Sequence, residues 1–145
     1  MSGDIRGFSH ILLKVPNLQQ TIDFYTTQLG FNLLRRYRLR DLDSGYLQLG
    51  GVLLELLPRT DADGPIDPQD NPIGLEVSDL DAVLSRLKTA GIDCGEAYKA
   101  RTFWGRQAKI RDNSGYLISL RQYEAPDGPV FMDWQPRHSD VQRLA

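Results

Sequence analysis

Strong donors for a metal or a proton are scarce in this chain. It holds two histidines, His10 and His138, and one cysteine, Cys94. A single thiol forbids an internal disulfide and a thiolate zinc cluster. Cys94 opens a strand-like stretch with no evident basic neighbour, which makes it a weak nucleophile. The sequence contains no Ser-His-Asp grouping, phosphate-binding glycine loop or dinucleotide fingerprint. The acidic residues 61–70 lack the spacing of a calcium loop. What remains is a set of charged and polar side chains on strand-like segments: Lys14, Tyr46, Gln48, Glu55, Glu76, Lys109 and Arg121. Residues two apart on a strand share a face, so His10 and Lys14 lie together, as do Glu55 and Leu57, and Ser119 and Arg121. Three cations (Lys14, Lys109, Arg121) against two carboxylates (Glu55, Glu76) suit a partly aromatic ligand with an anionic group. The alternative is that these charges pair with one another in water and contribute little.

The elements that must position these residues come from a repeat. Residues 10–18 read His-Ile-Leu-Leu-Lys-Val-Pro-Asn-Leu, and residues 72–80 read Pro-Ile-Gly-Leu-Glu-Val-Ser-Asp-Leu. Ile11, Leu13, Val15 and Leu18 fall on Ile73, Leu75, Val77 and Leu80. The alternation predicts a half-buried strand in each block, with Ile11, Leu13 and Val15 packed under a helix. Leu18, Ile22, Tyr25 and Leu29 follow at helical spacing, with Asn17 as cap, Gly30 as stop and Tyr25 as a core residue. Leu80, Val83, Leu84 and Leu87 repeat the stripe between Asp79 and Gly91. Strands are predicted over 31–38, 46–49 and 52–57, and again over 93–99, 107–111 and 116–122. Gly50-Gly51 and Asp112-Asn113-Ser114-Gly115 mark tight turns. Arg35, Arg36, Arg38 and Arg40 read as the solvated face of an edge strand.

The order is therefore β-α-β-β-β, twice. This predicts an α+β domain over 1–124, with module one at about 5–59, a linker at 60–71 and module two at about 72–124. Residues 125–145 form a tail whose Phe131, Met132 and Trp134 are expected to lie on the body or on a partner subunit.

Composition narrows the partners. At 145 residues and 16.4 kDa the chain buries roughly two-thirds of its unfolded surface without staples. A net charge of −2 leaves no basic field for a phosphate backbone, which argues against nucleic acid. No apolar run reaches the length of a membrane span. Met1-Ser2-Gly3-Asp4 does not open a signal peptide, so the expected setting is the cytoplasm.

Two such modules resemble the vicinal oxygen chelate superfamily. Its members include glyoxalase I, extradiol dioxygenases, methylmalonyl-CoA epimerase, fosfomycin-resistance proteins and bleomycin-binding proteins. The likeness rests on residues 9–18, Phe24-Tyr25 with Leu29-Gly30-Phe31, and Leu53-Leu54-Glu55-Leu56-Leu57-Pro58. In the second module it rests on residues 74–81, Leu87-Lys88-Thr89-Ala90-Gly91 and residues 111–115. It implies two sheets around a cavity, a homodimer, and, in metal-dependent members, one ligand on the first and one on the last strand of each module. Carried over, those four positions are His10, Glu55, Pro72 and Ser119. His10 and Glu55 match the pattern. Pro72 stands where a histidine is usual and Ser119 where a glutamate is usual. Proline offers no side-chain lone pair, and a neutral serine is a poor ligand. One imidazole and one carboxylate hold a divalent ion loosely. The expectation is a cavity with no cofactor, in which His10 bonds to Glu55. A divalent metal stays open in one arrangement, where two first modules pair about a two-fold axis and pool two His10–Glu55 pairs.

Phe103-Trp104-Gly105-Arg106 resembles the Trp-Gly segment of the bleomycin-binding branch, where the indole would lie over a flat ligand. The leading expectation is metal-independent binding of a small aromatic or anionic compound. Lys14, Tyr46, Gln48, Glu76, Trp104, Lys109 and Arg121 would contact it, with His10 and Glu55 at the floor. The rival is a lyase or isomerase of the glyoxalase class. In it Glu55, its pKa raised in an apolar cavity, acts as base and His10 as acid or orienting partner. A third reading is a degenerate partner domain with a vestigial cavity.

Overall fold

The computed structural model describes residues 3–124 and 138–144. It divides into two compact units, one ending at Ile66 and one beginning at Asp67. In the first unit the order is β1 (Ile11–Val15), α1 (Leu18–Leu29), β2 (Asn32–Leu39), β3 (Leu42–Leu49) and β4 (Val52–Pro58). The sheet runs β1-β4-β3-β2. β1 is parallel to β4, and the other pairs are antiparallel. The Asn17 side chain accepts from the Gln20 N–H at 3.0 Å and starts α1. Gly30, left-handed at φ 76, ends it, and Phe31 N–H then returns to the Tyr25 carbonyl. Beneath α1 lie Leu13, Val15, Leu47, Leu54 and Leu56, all buried, with Tyr25 fully buried and edge-on to Phe31 at 5.3 Å. Each such leucine contributes about 1.5–3 kcal/mol of transfer free energy.

The second unit repeats the order: β5 (Ile73–Glu76), α2 (Leu80–Thr89), β6 (Tyr98–Lys99), β7 (Gly105–Arg111) and β8 (Leu117–Tyr123), in a sheet β5-β8-β7-β6. Asp79 caps α2 by accepting from Ala82 N–H, and Gln122 Oε1 accepts from Leu80 N–H at 2.8 Å. Leu80, Leu84 and Leu87 meet Ala108, Ile110, Ile118 and Leu120 in the core.

Three details differ from the sequence reading. Ile11 is 37% exposed instead of packed under α1, whereas Leu13 and Val15 are buried. β3 begins at Leu42, not at residue 46, since the hairpin with β2 continues to a tip at Arg40, which takes a positive φ of 56. The predicted strand over 93–99 is cut to Tyr98–Lys99 plus a lone bridge from Cys94 to Ile110. At Gly95 the chain passes so close to β7 that a Cβ would sit 3.2 Å from the Lys109 carbonyl.

The chain between β4 and β5 is ordered by Arg59, whose guanidinium donates to the carbonyls of Asp63, Gly64 and Pro65. Residues 125–137 of the tail, with Phe131, Met132 and Trp134, lie outside the described residues. Among the described residues no helix is long and apolar enough to cross a membrane.

Candidate functional site

β4 lies inside its sheet, with β1 on one side and β3 on the other, so Glu55 has neighbours on both flanks. The register sets Glu55 beside Leu12 on β1 and opposite Tyr46 on β3. Leu54 and Leu56 point to the helix-covered core, so alternation turns Glu55 to the other face. Tyr37 of β2 donates its phenol hydrogen to Glu55 Oε2 at 2.7 Å. His10 Nε2 lies 3.5 Å from Glu55 Oε1, and its Nδ1 is 3.0 Å from the Ser9 hydroxyl. The Tyr37 and Tyr46 rings stack at 5.7 Å and 28°. The His10 ring stands edge-on to Tyr46 at 6.4 Å. The Glu55 side chain is only 13% exposed, whereas His10 is 35% exposed.

The electrostatics reverse an expectation. A glutamate on an apolar sheet was expected to have a raised pKa, and burial, the largest influence here, does push upward. The hydrogen bonds from Tyr37 and Tyr46 and the charge of His10 together outweigh it, and Glu55 titrates below its usual 4.5. The phenols move the opposite way. Burial first, then the bond to Glu55, pushes Tyr37 up to about 12. The bond to Glu55, then burial, raises Tyr46 as well. At neutral pH the cluster is thus a carboxylate ringed by protonated phenols. It accepts hydrogen bonds and carries negative charge, but it is a weaker base than a group poised near neutrality.

The other sequence-predicted residues are distributed as follows. Lys14 on β1 donates to Asp63 at 2.9 Å, and that bond, with the Thr60 N–H, holds Asp63 down to about 2. Gln48, half-buried, shares the Tyr46 face of β3. In the second unit Ser119 pairs with Gly74 on one side and Lys109 on the other, while Arg121 pairs with Glu76 and Gln107. A groove of about 410 Å³ runs beside Ser119, Arg121, Tyr123 and Glu76. The Arg121 guanidinium lies 4.5 Å over the ring of Phe103, not of Trp104. Trp104 is 36% exposed ahead of β7, and its carbonyl accepts from Glu124 N–H. Gly105 follows it for a steric reason: a Cβ there would overlap the Gln122 carbonyl oxygen, and its φ is 155. Cys94 has Lys88 close enough to favour its thiolate, but burial dominates and raises the thiol pKa.

Sequence reasoning missed Tyr37, Phe103 and Asn71. Tyr37 sits in the arginine run, and a bulge between Leu33 and Arg35 shifts the register that would have placed it. Asn71 hydrogen-bonds Ser119 at 2.7 Å through its side-chain amide.

The four positions that resemblance would give to a metal do not fit one. His10 and Glu55 are two donors, and Glu55 is already engaged by two phenols. Ser119 is buried and bonded to Asn71, and Pro72 has no donor atom in its side chain. Among the described residues no three His, Cys, Asp or Glu side chains converge.

The profile of the Glyoxalase/Bleomycin resistance protein/Dioxygenase superfamily matches residues 7–120. A probable lactoylglutathione lyase of Vibrio cholerae serotype O1 is 30% identical over 121 residues, which cover 78% of this chain and 88% of that protein. Among solved structures, TnmS3, an antibiotic binding protein from Streptomyces sp. CB03234, is 28% identical with a TM-score of 0.63, covering 81% of this chain and 98% of that one. A mutant of FosX, a fosfomycin resistance protein from Listeria monocytogenes complexed with Mn(II) and 1S,2S-dihydroxypropylphosphonic acid, has a TM-score of 0.72 at 17% identity, covering 87% of this chain and 98% of that one. At that identity the likeness is one of fold.

Proposed function

Because the chain belongs to the glyoxalase/bleomycin resistance protein/dioxygenase superfamily, we propose that it binds a small organic molecule, aromatic or anionic, without a metal ion to hold it. One observation carries this reading: the Glu55 carboxylate is engaged by Tyr37, Tyr46 and His10. A carboxylate bound in this way offers a ligand an acceptor edge beside two stacked phenol faces, which suits a flat molecule with a hydroxyl or amide. Gln48 extends that face. On the second unit Glu76, Trp104, Lys109 and Arg121 are assigned as a candidate contact set of their own. Lys14 stays a candidate only where a ligand competes with Asp63. The protein acts in this reading as a homodimer in the cytoplasm. That the similar TnmS3 is an antibiotic binding protein supports the small-molecule part of this reading.

The test is a panel of planar aromatics (2-naphthol, 2-naphthoate and anthraquinone-2-sulfonate) titrated into EDTA-treated protein by thermal shift and intrinsic fluorescence. Saturable binding that survives EDTA and weakens in Glu55→Gln supports the proposal. Failure of the whole panel, or binding only with added metal, overturns it.

The 30% identity to a probable lactoylglutathione lyase favours a second reading, lyase or isomerase chemistry. There Glu55, ionised at neutral pH, takes a proton and His10 orients the substrate. Formation of S-lactoylglutathione from methylglyoxal and glutathione, abolished by Glu55→Gln, would move this reading to the front.

A further inference from the structure

The open face of the second sheet carries two cations that the rest of the structure leaves available. Lys14, Arg38, Lys88, Arg101, Arg106 and Arg111 each have an acidic partner within 4 Å. Among the described residues Arg121 and Lys109 have none. They are diagonal neighbours, since Lys109 pairs with Ser119 and Arg121 lies two residues further along β8. Cross-strand partners share a face, so both present their charge to the same side.

Arg121 is also held in place. Its guanidinium lies over Phe103 at 4.5 Å, and Phe103 packs against Tyr123 at 5.0 Å. Stacking restrains the plane of the guanidinium without using its five N–H donors. The donors then lie along the edge of a fixed fork, beside a groove of about 410 Å³.

Position 119 explains why the charge persists. A glutamate there would stand directly beside Lys109 and two residues from Arg121, and would neutralise much of this field. The serine keeps the face cationic, and its hydroxyl is bonded to Asn71. Among the described residues Glu76, paired in register with Arg121, is the one carboxylate on this part of the face, so two cations against one anion leave a single net positive charge there.

We propose that this face is an oxyanion site that takes the carboxylate of an aromatic monoanion directly. The Arg121 fork binds the two oxygens side by side, Lys109 supplies the second charge, and Glu76 disfavours a further anionic group. The inference rests on the small-molecule reading above and adds the charge class of the ligand.

The test compares 2-naphthoate with its neutral isostere 2-naphthamide by calorimetric titration at low salt. Wild-type protein should bind naphthoate at least about tenfold more tightly than naphthamide, the scale of one good charge-assisted pair. Arg121→Gln should erase that preference, and Arg121→Lys should recover only part of it because the fork is lost. Lys109→Gln should weaken naphthoate roughly threefold, as expected for a point charge one row away. Should Arg121→Gln fail to fold, Arg121→Lys and Lys109→Gln decide the matter. Equal affinity of the wild type for both probes, or a preference that survives Arg121→Gln, overturns the oxyanion site while leaving small-molecule binding intact. Absence of binding by naphthoate also overturns it, and 2-naphthol, the neutral member of the earlier panel, then judges the wider reading.

Discussion

Replacing Tyr37 with phenylalanine removes one oxygen and one hydrogen bond, the 2.7 Å bond to Glu55 Oε2. A hydrogen bond to a charged group is worth about 1.5–3 kcal/mol net, and with Tyr46 and His10 still beside the carboxylate the lower part of that range applies, about 1.5 kcal/mol. The pH dependence is the sharper signature, because two groups with opposite shifts are involved. Glu55 has a lowered folded-state pKa. Its contribution is therefore present above the unfolded value near 4.5 and is lost as pH falls through the folded value. Tyr37 has a raised folded-state pKa of about 12 against an ordinary 10. Its contribution is present below 10 and is lost between 10 and about 12, because the unfolded chain then releases the proton first. The stability gap between wild type and Tyr37→Phe should thus be widest and flat from about pH 5 to pH 9, and should narrow at both ends. Urea unfolding at pH 3.5, 7 and 10.5 measures it, with a difference in unfolding free energy of about 1.5 kcal/mol expected at pH 7. A gap that is the same at all three pH values, or absent at pH 7, would refute the claim that this bond sets the ionisation of Glu55.

Three further outcomes follow from the same geometry. Gly105→Ala should cost about 2 kcal/mol or more and lower the melting temperature, because the new Cβ meets the Gln122 carbonyl at a φ of 155. Exhaustive EDTA treatment should leave the melting temperature within about 1 °C and His10→Ala should not change the metal content, whereas loss of one ion per chain with a marked drop in stability would show an unforeseen ligand set. Cys94 should react with Ellman's reagent at pH 8 well below the rate of a free thiol and speed up on mild denaturation, since burial raises its pKa despite Lys88.

The β-α-β-β-β order was legible because its signals are local. Asn17 and Asp79 cap their helices through their own side chains, and Gly30 stops one at a positive φ. The alternation of Leu13 and Val15 against Leu12 and Lys14 reports burial directly. The strand expected over 93–99 was not legible, because whether a ladder continues past Gly95 depends on how closely β7 approaches. The site was half legible for the same reason. His10, Tyr46 and Glu55 could be placed on one face from alternation alone. The sign of the Glu55 shift could not, since it depends on Tyr37, 18 positions away in the chain and displaced by a bulge. Nor does sequence say which of two adjacent aromatics turns onto Arg121; it is Phe103.

Set beside the metal-ligand pattern that the resemblance implies, the two units differ from it in physically different directions. A metal ion in such a site supplies positive charge to an oxygen of the ligand. The first unit has a carboxylate at Glu55 and satisfies it with phenols, so this cluster offers acceptors and selects hydrogen-bond donors. The second unit has Pro72 and Ser119 at its two positions, and the neutral Ser119 leaves Arg121 beside the groove with Lys109 one row away. A guanidinium differs from a metal in one decisive respect. It stabilises a bound carboxylate by directed hydrogen bonds but withdraws far less electron density from it, so it favours holding a ligand over activating one. On that ground Pro72 and Ser119, at the positions the resemblance gives to ligands, weigh toward binding over activation.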